Sequence, residues 1–580
     1  MQKSLLYPLL RLRLAVAEFL RPHEVHVLLV WAGLVGFAGA CASVAFRELM
    51  HEVQWLITGH SGSLVQTARD LPVWACLLVP TGGGLLAGGI LYGGSVLLKG
   101  QKSPDYIEAI ALGDGRIPSR ITLVKAASSL VTIATGGSIG REGPMVQLSA
   151  MLASLLGKIL GVSVPRLRLL VACGAAAGIA AAYNAPIAGS LFVAEIILGS
   201  IVMESFGPLV FASVVSVLTV RQLLGASPVY QVPAFHLVSM LELPAYLLLG
   251  ILCGLMAPWF LQLLALSARN FASQGWPAPL RLGAAGFIVG AISMYMPEVW
   301  GNGYSVVNEI LHQDIVWYVL LLFLALKLVA TASTVGAGAV GGVFTPTLCV
   351  GAVLGSLVGQ GIHAILPHDS GLSGSYALVG MGCFLAATTH APLMAILMIF
   401  EMTLDYDIVL PLMLGCVTAY YTAHAIRSDS IYAESLRRGK AQSPLASLCV
   451  GDLLKPDPLQ VPPHAPFHEV AQIFAQNQHN YLYVTDDAGI FRGMISLHDI
   501  KSYLSDESLA QIVIAADIVR DDFPTINPEA PVLGALENFK GAYMERLVVV
   551  DKERKLLGTI SKTDLLLTLA HQERNEANKV

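Results

Sequence analysis

Between residues 25 and 426 the chain carries fourteen apolar segments, several of them clearly shorter than a bilayer crossing requires. They lie near 25–47, 72–98, 121–135, 145–161, 168–183, 186–203, 206–224, 243–266, 279–295, 315–334, 344–365, 374–388, 391–404 and 408–426. A helix needs about 20 apolar residues to cross the hydrocarbon core. Shorter segments broken by Gly and Pro must be half-helices or re-entrant, and their unpaired backbone ends must be buried in protein or line a cavity. This pattern restricts the chain to a polytopic helical membrane fold with a route through it.

Charge marks where this regime ends. Of the 75 Asp, Glu, Lys and Arg residues, 31 fall in residues 441–580 and 44 in residues 1–440. A boundary between a lipid-solvated and a water-solvated part is expected near residue 440. The net charge of −5 gives no case for nucleic acid. The eight cysteines show no zinc or redox spacing and read as small buried hydrophobes. Residues 1–24 mix Leu with Arg11, Arg13 and Arg21 and lack a signal-peptide core, so they read as an amphipathic segment on the cytoplasmic face.

The membrane part repeats itself. Lys125, Gly140, Pro144 and Gly157 recur 202 residues later as Lys327, Gly342, Pro346 and Gly359. Ala185-Pro186 followed by Glu195 recurs 206 residues later as Ala391-Pro392 followed by Glu401. Two similar halves are expected, about 25–224 and 243–432, with a site at their interface near the midplane and inverted topology as the expected arrangement. The tail repeats with a period of 65: Val484, Asp486, Gly493, Ser496 and Asp499 return as Val549, Asp551, Gly558, Ser561 and Asp564. Each copy reads as short strands and helices (helices near 470–477, 498–504, 530–540 and 563–571), giving two α/β units at 446–506 and 512–573.

Chemistry concentrates at the repeated Gly–Pro motifs. Gly140-Arg141-Glu142-Gly143-Pro144 opens a helical run, and so does Gly342-Val343-Phe344-Thr345-Pro346. Proline suits a first helical turn. A helix start presents free N–H groups and partial positive charge, which together form an anion site. Two such starts at one midplane would bind a small anion weakly enough to release it. Glu142 stands inside the first start. As a cap it would satisfy local amides. As an intramembrane acid it would occupy the anion position, compete with the permeant ion and leave when protonated. Its repeat partner is Phe344, so the fold does not require an acid there, and the gate is the preferred reading. Glu195 and Glu401 share a repeat position and read as architectural. Lys125 and Lys327 either cap buried carbonyls or add positive potential along the anion route.

These residues resemble the CLC family of chloride channels and chloride/proton antiporters, along essentially the whole chain. Gly140–Pro144 matches the family's GREGP segment, which makes Glu142 its gating glutamate and Gly140, Arg141 and Gly143 anion-lining. Gly342–Pro346 matches GxFxP, which implies that the amides of Val343 and Phe344 contact the central anion. Tyr432 matches the tyrosine that reaches this anion from the inner side. The family's GSGIP segment is replaced by Gln101-Lys102-Ser103-Pro104-Asp105, so either Lys102 or Ser103 stands at the selectivity serine. Family antiporters commonly place a proton-transfer glutamate directly after the position of Glu195; here it is Ile196. The expected function is therefore channel-like chloride conduction, with chloride/proton antiport by a water-mediated internal path as the alternative. The tail resembles a CBS pair, which implies possible adenine-nucleotide binding at Ser561, Asp564 and Asp499. The resemblance further implies a homodimer with one pore per subunit, no required cofactor or metal and no enzymatic activity. The expected location is a bacterial inner membrane with the tail cytoplasmic.

Overall fold

The computed structural model describes residues 24–60, 62–98, 104–225, 230, 232, 239–367, 371–433, 448–455, 458–477, 480–500, 512–521, 523–532, 535 and 546–563. Residues 1–23, and most of the helices expected at 498–504, 530–540 and 563–571, lie outside this set. The chain divides into two units between Leu436 and Arg437.

Among the described residues the regular elements of the first unit are helices. Its first half comprises α1 (Glu24–Thr58), α2 (Leu64–Asp70), α3 (Val73–Leu97), α4 (Tyr106–Ala111), α5 (Ser119–Ala134), α6 (Glu142–Leu160), α7 (Val164–Tyr183), α8 (Pro186–Leu191) and α9 (Met203–Leu224). A π-helical turn, Phe192–Leu198, extends α8. The second half comprises α10 (Leu243–Ser273), α11 (Ala278–Ser293), α12 (Tyr304–His312), α13 (Trp317–Gly336), α14 (Phe344–Ile365), α15 (Ser373–Thr389), α16 (Pro392–Thr403) and α17 (Val409–Ile426). Among the described residues nine helices are long and apolar enough to cross a membrane, while Pro186–Leu198, Ala278–Ser293 and Pro392–Thr403 are shorter apolar helices.

Local sequence sets the matching boundaries. Proline sits at N1 or N2 of α7, α8, α10, α11 and α16, where its missing N–H costs nothing. The equivalent helices α7 and α15 both end on a residue in the left-handed region, Asn184 at φ 57° and His390 at φ 58°. Each is followed by Ala-Pro, whose proline opens the next short helix.

Packing repeats as well. Helix α9 lies on α1 as α17 lies on α10, and α7 lies on α6 as α15 lies on α14. The repeat equivalents α3 and α11 pack on each other through glycine. A methyl group added at Gly84 would stand 2.2 Å from the Leu282 carbonyl oxygen, at Gly88 2.5 Å from that of Ala278 and at Gly286 2.1 Å from that of Pro80. Partner numbers fall as helix numbers rise, so the two helices run antiparallel. Equivalent helices crossing antiparallel are related by an axis perpendicular to them. Antiparallel equivalents are what an inverted repeat produces.

The second unit holds two three-stranded sheets of the same topology. In the first, β1 (Gln460–Val461) pairs parallel with β2 (Tyr481–Thr485), which pairs antiparallel with β3 (Phe491–Ser496). In the second, β4 (Thr525–Ile526), β5 (Arg546–Val550) and β6 (Leu556–Ser561) repeat this order. Both antiparallel pairs slip register at the same place, between Val484 and Thr485 and between Val549 and Val550. Tyr483, Phe491, Met494, Val548 and Val550 form one shared core, so each copy covers apolar strand surface of the other.

Candidate anion site

The two Gly–Pro motifs, 202 residues apart in sequence, are bonded to each other. Gly140 N–H donates to the Gly342 carbonyl at 2.7 Å, and Gly342 N–H donates to the Gly140 carbonyl at 2.9 Å. They form an isolated antiparallel bridge. Side chains would forbid this approach: a methyl group at Gly341 would fall 2.6 Å from Ile139 Cγ1, and at Gly140 2.9 Å from the Gly342 carbonyl oxygen. From this crossing α6 and α14 depart with the free amides of their first turns. Val343 is the N-cap of α14 and Phe344 its first residue. Arg141 is the N-cap of α6 and makes no side-chain cap bond.

Glu142 is buried, 4% exposed, at the first position of α6. Its carboxylate does not cap its own helix. Oε1 accepts a hydrogen bond from the Thr345 hydroxyl on α14, and Oε2 is buried without a partner. That oxygen lies against the crossing itself, 2.0 Å from where a Gly140 methyl group would stand and 3.1 Å from a Gly342 one. The carboxylate therefore occupies the space the two motifs enclose. A buried carboxylate oxygen without a donor is a costly arrangement, and it stands where the two helix starts meet.

Aromatic rings line the adjoining space. Tyr183 at the end of α7 lies 5.0 Å from the Phe344 ring, and its hydroxyl meets Thr345 Oγ1 at 2.8 Å. Phe192 stands 6.3 Å from Phe344 and edge-on to Tyr432 at 5.5 Å. Ile431 N–H donates to the Thr388 carbonyl at 3.0 Å, which ties the Tyr432 segment to α15. The structure thus joins Glu142, Gly140, Gly143, Val343, Phe344 and Tyr432 through one connected set of contacts. Sequence reasoning missed Thr345, Tyr183 and Phe192. Thr345 lies within the second motif, and Tyr183 directly precedes Asn184-Ala185-Pro186, so position pointed to both.

The other expected site residues fall elsewhere. Lys102 and Ser103 lie outside the described residues. Just beyond them, Tyr106 N–H is held by Asp105 at 2.8 Å and by Gln147 of α6 at 2.9 Å. Ile196 lies in the π-helical turn after α8, half-buried against the core. Glu195 and Glu401 cap each other's half. Glu401 accepts from the amides of Ile187 and Ala188 at 2.9 and 2.8 Å. Glu195 accepts from those of Leu393 and Met394 at 3.4 and 2.9 Å. Each carboxylate satisfies the open N-terminus of a short proline-led helix in the opposite half, which is the architectural role their repeat positions imply. In the second unit Asp499 accepts from the Ser496 hydroxyl at 2.7 Å and pairs with Arg520 at 2.9 Å. Its carboxylate is engaged internally. Ser561 ends β6, and Asp564 lies outside the described residues.

Comparison with known proteins converges on one group. A family profile described as "Voltage gated chloride channel" matches residues 83–424, and one described as "CBS domain" matches residues 450–506 and 515–571. The chain is 54% identical over 417 residues to a Ralstonia nicotianae protein named chloride channel protein ClcB-like, covering 71% of this chain and 97% of that one. It is 39% identical over 416 residues to the voltage-gated ClC-type chloride channel ClcB of Citrobacter koseri, covering 70% and 98%. Among solved structures, a slow cyanobacterial Cl−/H+ antiporter superposes with a TM-score of 0.63 at 25% identity, covering 72% of this chain and 98% of that one. A eukaryotic CLC transporter superposes with a TM-score of 0.62 at 18% identity over 93% and 98%, a likeness of fold.

Proposed function

This chain belongs to the voltage-gated chloride channel family, and we propose that it conducts chloride passively through the site at the crossed helix starts, with Glu142 as the gate. The observation that carries this reading is the Glu142 carboxylate, buried where the motifs of the two halves meet and left with one unpartnered oxygen. An anion in its place would be held by peptide dipoles at the starts of α6 and α14, including the amides of Val343 and Phe344, with Gly140, Arg141 and Gly143 lining it on one side and Tyr432 on the other. Dipoles hold an ion without trapping it, as conduction requires. Lys102 or Ser103 is the candidate for setting the route's selectivity. Transport, not catalysis, is the activity; the subunits pair with one pore each, in a bacterial inner membrane with the tail in the cytoplasm.

Uncoupled conduction is favoured over antiport by Ile196, which carries no proton where family antiporters commonly have a glutamate. The second reading, chloride/proton exchange, draws on the antiporter named among the similar structures and on the hydroxyls beside Glu142. Liposomes with an outward chloride gradient and no proton gradient separate the two. We expect chloride to leave when valinomycin balances charge, with no uphill proton movement on a pH-sensitive dye. Sustained proton pumping at a fixed ratio to chloride would replace the channel reading by the exchanger.

For the tail, the proposal is an adenine nucleotide at the repeated Ser-x-x-Asp positions, with Ser561, Asp564 and Asp499 as the candidate contacts. Calorimetry on the detergent-solubilised chain is expected to show saturable binding of ATP, ADP or AMP, weakened by Asp564→Ala. No heat from any of the three at millimolar concentration would leave the tail a dimerisation module.

A further inference from the structure

Threonine hydroxyls inside helices ordinarily bond to the carbonyl four residues back. Thr334, Thr388 and Thr389 all do so in this chain. Thr345 is the second residue of α14, so no helical carbonyl lies behind it. Its hydroxyl donates instead to Glu142 Oε1, across the interface between the halves. A hydroxyl has one proton to give. With that proton on the carboxylate, Thr345 Oγ1 is the acceptor of its 2.8 Å contact with Tyr183, and Tyr183 is the donor. Tyr183, Thr345 and Glu142 are 3%, 2% and 4% exposed, so the three form one polar cluster closed to water. The Tyr183 ring, packed at 5.0 Å on Phe344, fixes one end of the cluster.

The repeat shows that the helical framework does not need this cluster. Thr345 corresponds to Gly143 and Tyr183 to Thr389, so the other half carries no copy of it. We propose that Tyr183 and Thr345 are positioning residues that latch the Glu142 carboxylate in the anion position, and so set how much chloride is needed to displace it. The latch rests on the reading of Glu142 as a gate. A hydrogen bond to a buried carboxylate is strong, and a second hydroxyl behind it polarises it further. The bond acts only on the carboxylate-occupied state. Its loss must therefore lower the half-saturating chloride concentration and leave the maximal flux, reached once chloride has displaced the carboxylate, unchanged.

Thr345→Val removes the hydroxyl and keeps the volume. Measured as chloride efflux from liposomes across a range of chloride concentrations, it is expected to lower half-saturation about tenfold with maximal flux within about twofold of the parent. Tyr183→Phe is expected to lower half-saturation about threefold, since its hydroxyl meets Thr345 and also stands beside Glu142. Thr345→Ser keeps the donor and restores the parental value. In a Glu142→Gln background, Thr345→Val is expected to shift half-saturation much less, because the charged acceptor is gone. If Glu142→Gln behaves as a gate variant while Thr345→Val keeps the parental half-saturation, the latch is wrong and the gate stands. If Glu142→Gln abolishes flux in folded protein, the gate itself is wrong. A fall in maximal flux that Thr345→Ser does not rescue would mark Thr345 as a packing residue only.

Discussion

Glu142→Gln is expected to raise chloride flux at neutral pH by about tenfold and to flatten its dependence on pH. On the proposed gate reading the carboxylate and the permeant anion compete for one space, so the weaker the competitor, the larger the flux. Glutamine fills the same volume and can still accept from Thr345, but it carries no charge. It therefore loses the attraction to two helix N-termini and the charge-assisted part of the hydrogen bond. The proposed gate reading expects a proton to do the same in the parent. A proton on Glu142 removes the charge, so flux rises as pH falls and declines again as pH rises. The variant has nothing at this position to titrate and should sit near the parent's low-pH flux throughout. Chloride release from liposomes, read with an ion-selective electrode at each pH, gives both quantities. Flux that collapses in correctly folded protein would remove Glu142 as a gate. A pH dependence that persists unchanged would move the titrating group elsewhere.

Much of the membrane architecture was legible because the chain states it twice. A spacing of 202 residues between Gly140 and Gly342 says that two equivalent helix starts exist, and glycine at both says that backbone approaches backbone there. The mutual bridge between these two residues is the contact such a pattern permits. Repeat position also separated Glu142 from Glu195 and Glu401. An acid present in one half alone is not required by the framework, and the acids present in both hold it together. Spacing could not say which amides Glu195 and Glu401 accept from. Those lie 198 to 214 residues away, and only the folded crossing of the halves brings them within reach. The Thr345 contact to Glu142 was hidden for a related reason. Serine and threonine inside helices normally turn back on their own backbone, and only the position of the helix start, unknown to within a few residues from sequence, frees this one. The same limit applies to Lys327, whose two readings from sequence differ only in where its ammonium points.

Lys327→Met is expected to lower the stability of the membrane unit by about 3 kcal/mol while leaving half-saturating chloride unchanged per folded molecule. The Lys327 side chain is 1% exposed, and its ammonium donates to the Val299 carbonyl at 2.8 Å and the Gly301 carbonyl at 2.7 Å. Both oxygens belong to the turn before α12, where Gly301 and Gly303 take φ of 68° and 92°. That turn braces the first motif from behind. Gly301 N–H donates to the Gly136 carbonyl at 3.2 Å, and the Trp300 ring covers Gly136 so closely that a methyl group there would meet it at 2.4 Å. Methionine matches the length of the lysine stem and leaves little cavity, so the cost is electrostatic. Two opposing terms decide it. Burying an ammonium is expensive, and methionine recovers that expense. Two buried carbonyls then lose their donor, at about 1–3 kcal/mol each, and nothing else in the turn can replace it. The second term wins because the carbonyls are backbone and cannot be substituted away. If Lys327 instead acted by adding positive potential to the anion route, Lys327→Met would raise half-saturating chloride with little change in melting temperature. A thermal scan in detergent beside the chloride titration distinguishes a brace from a field, and the two geometries at Nζ favour the brace.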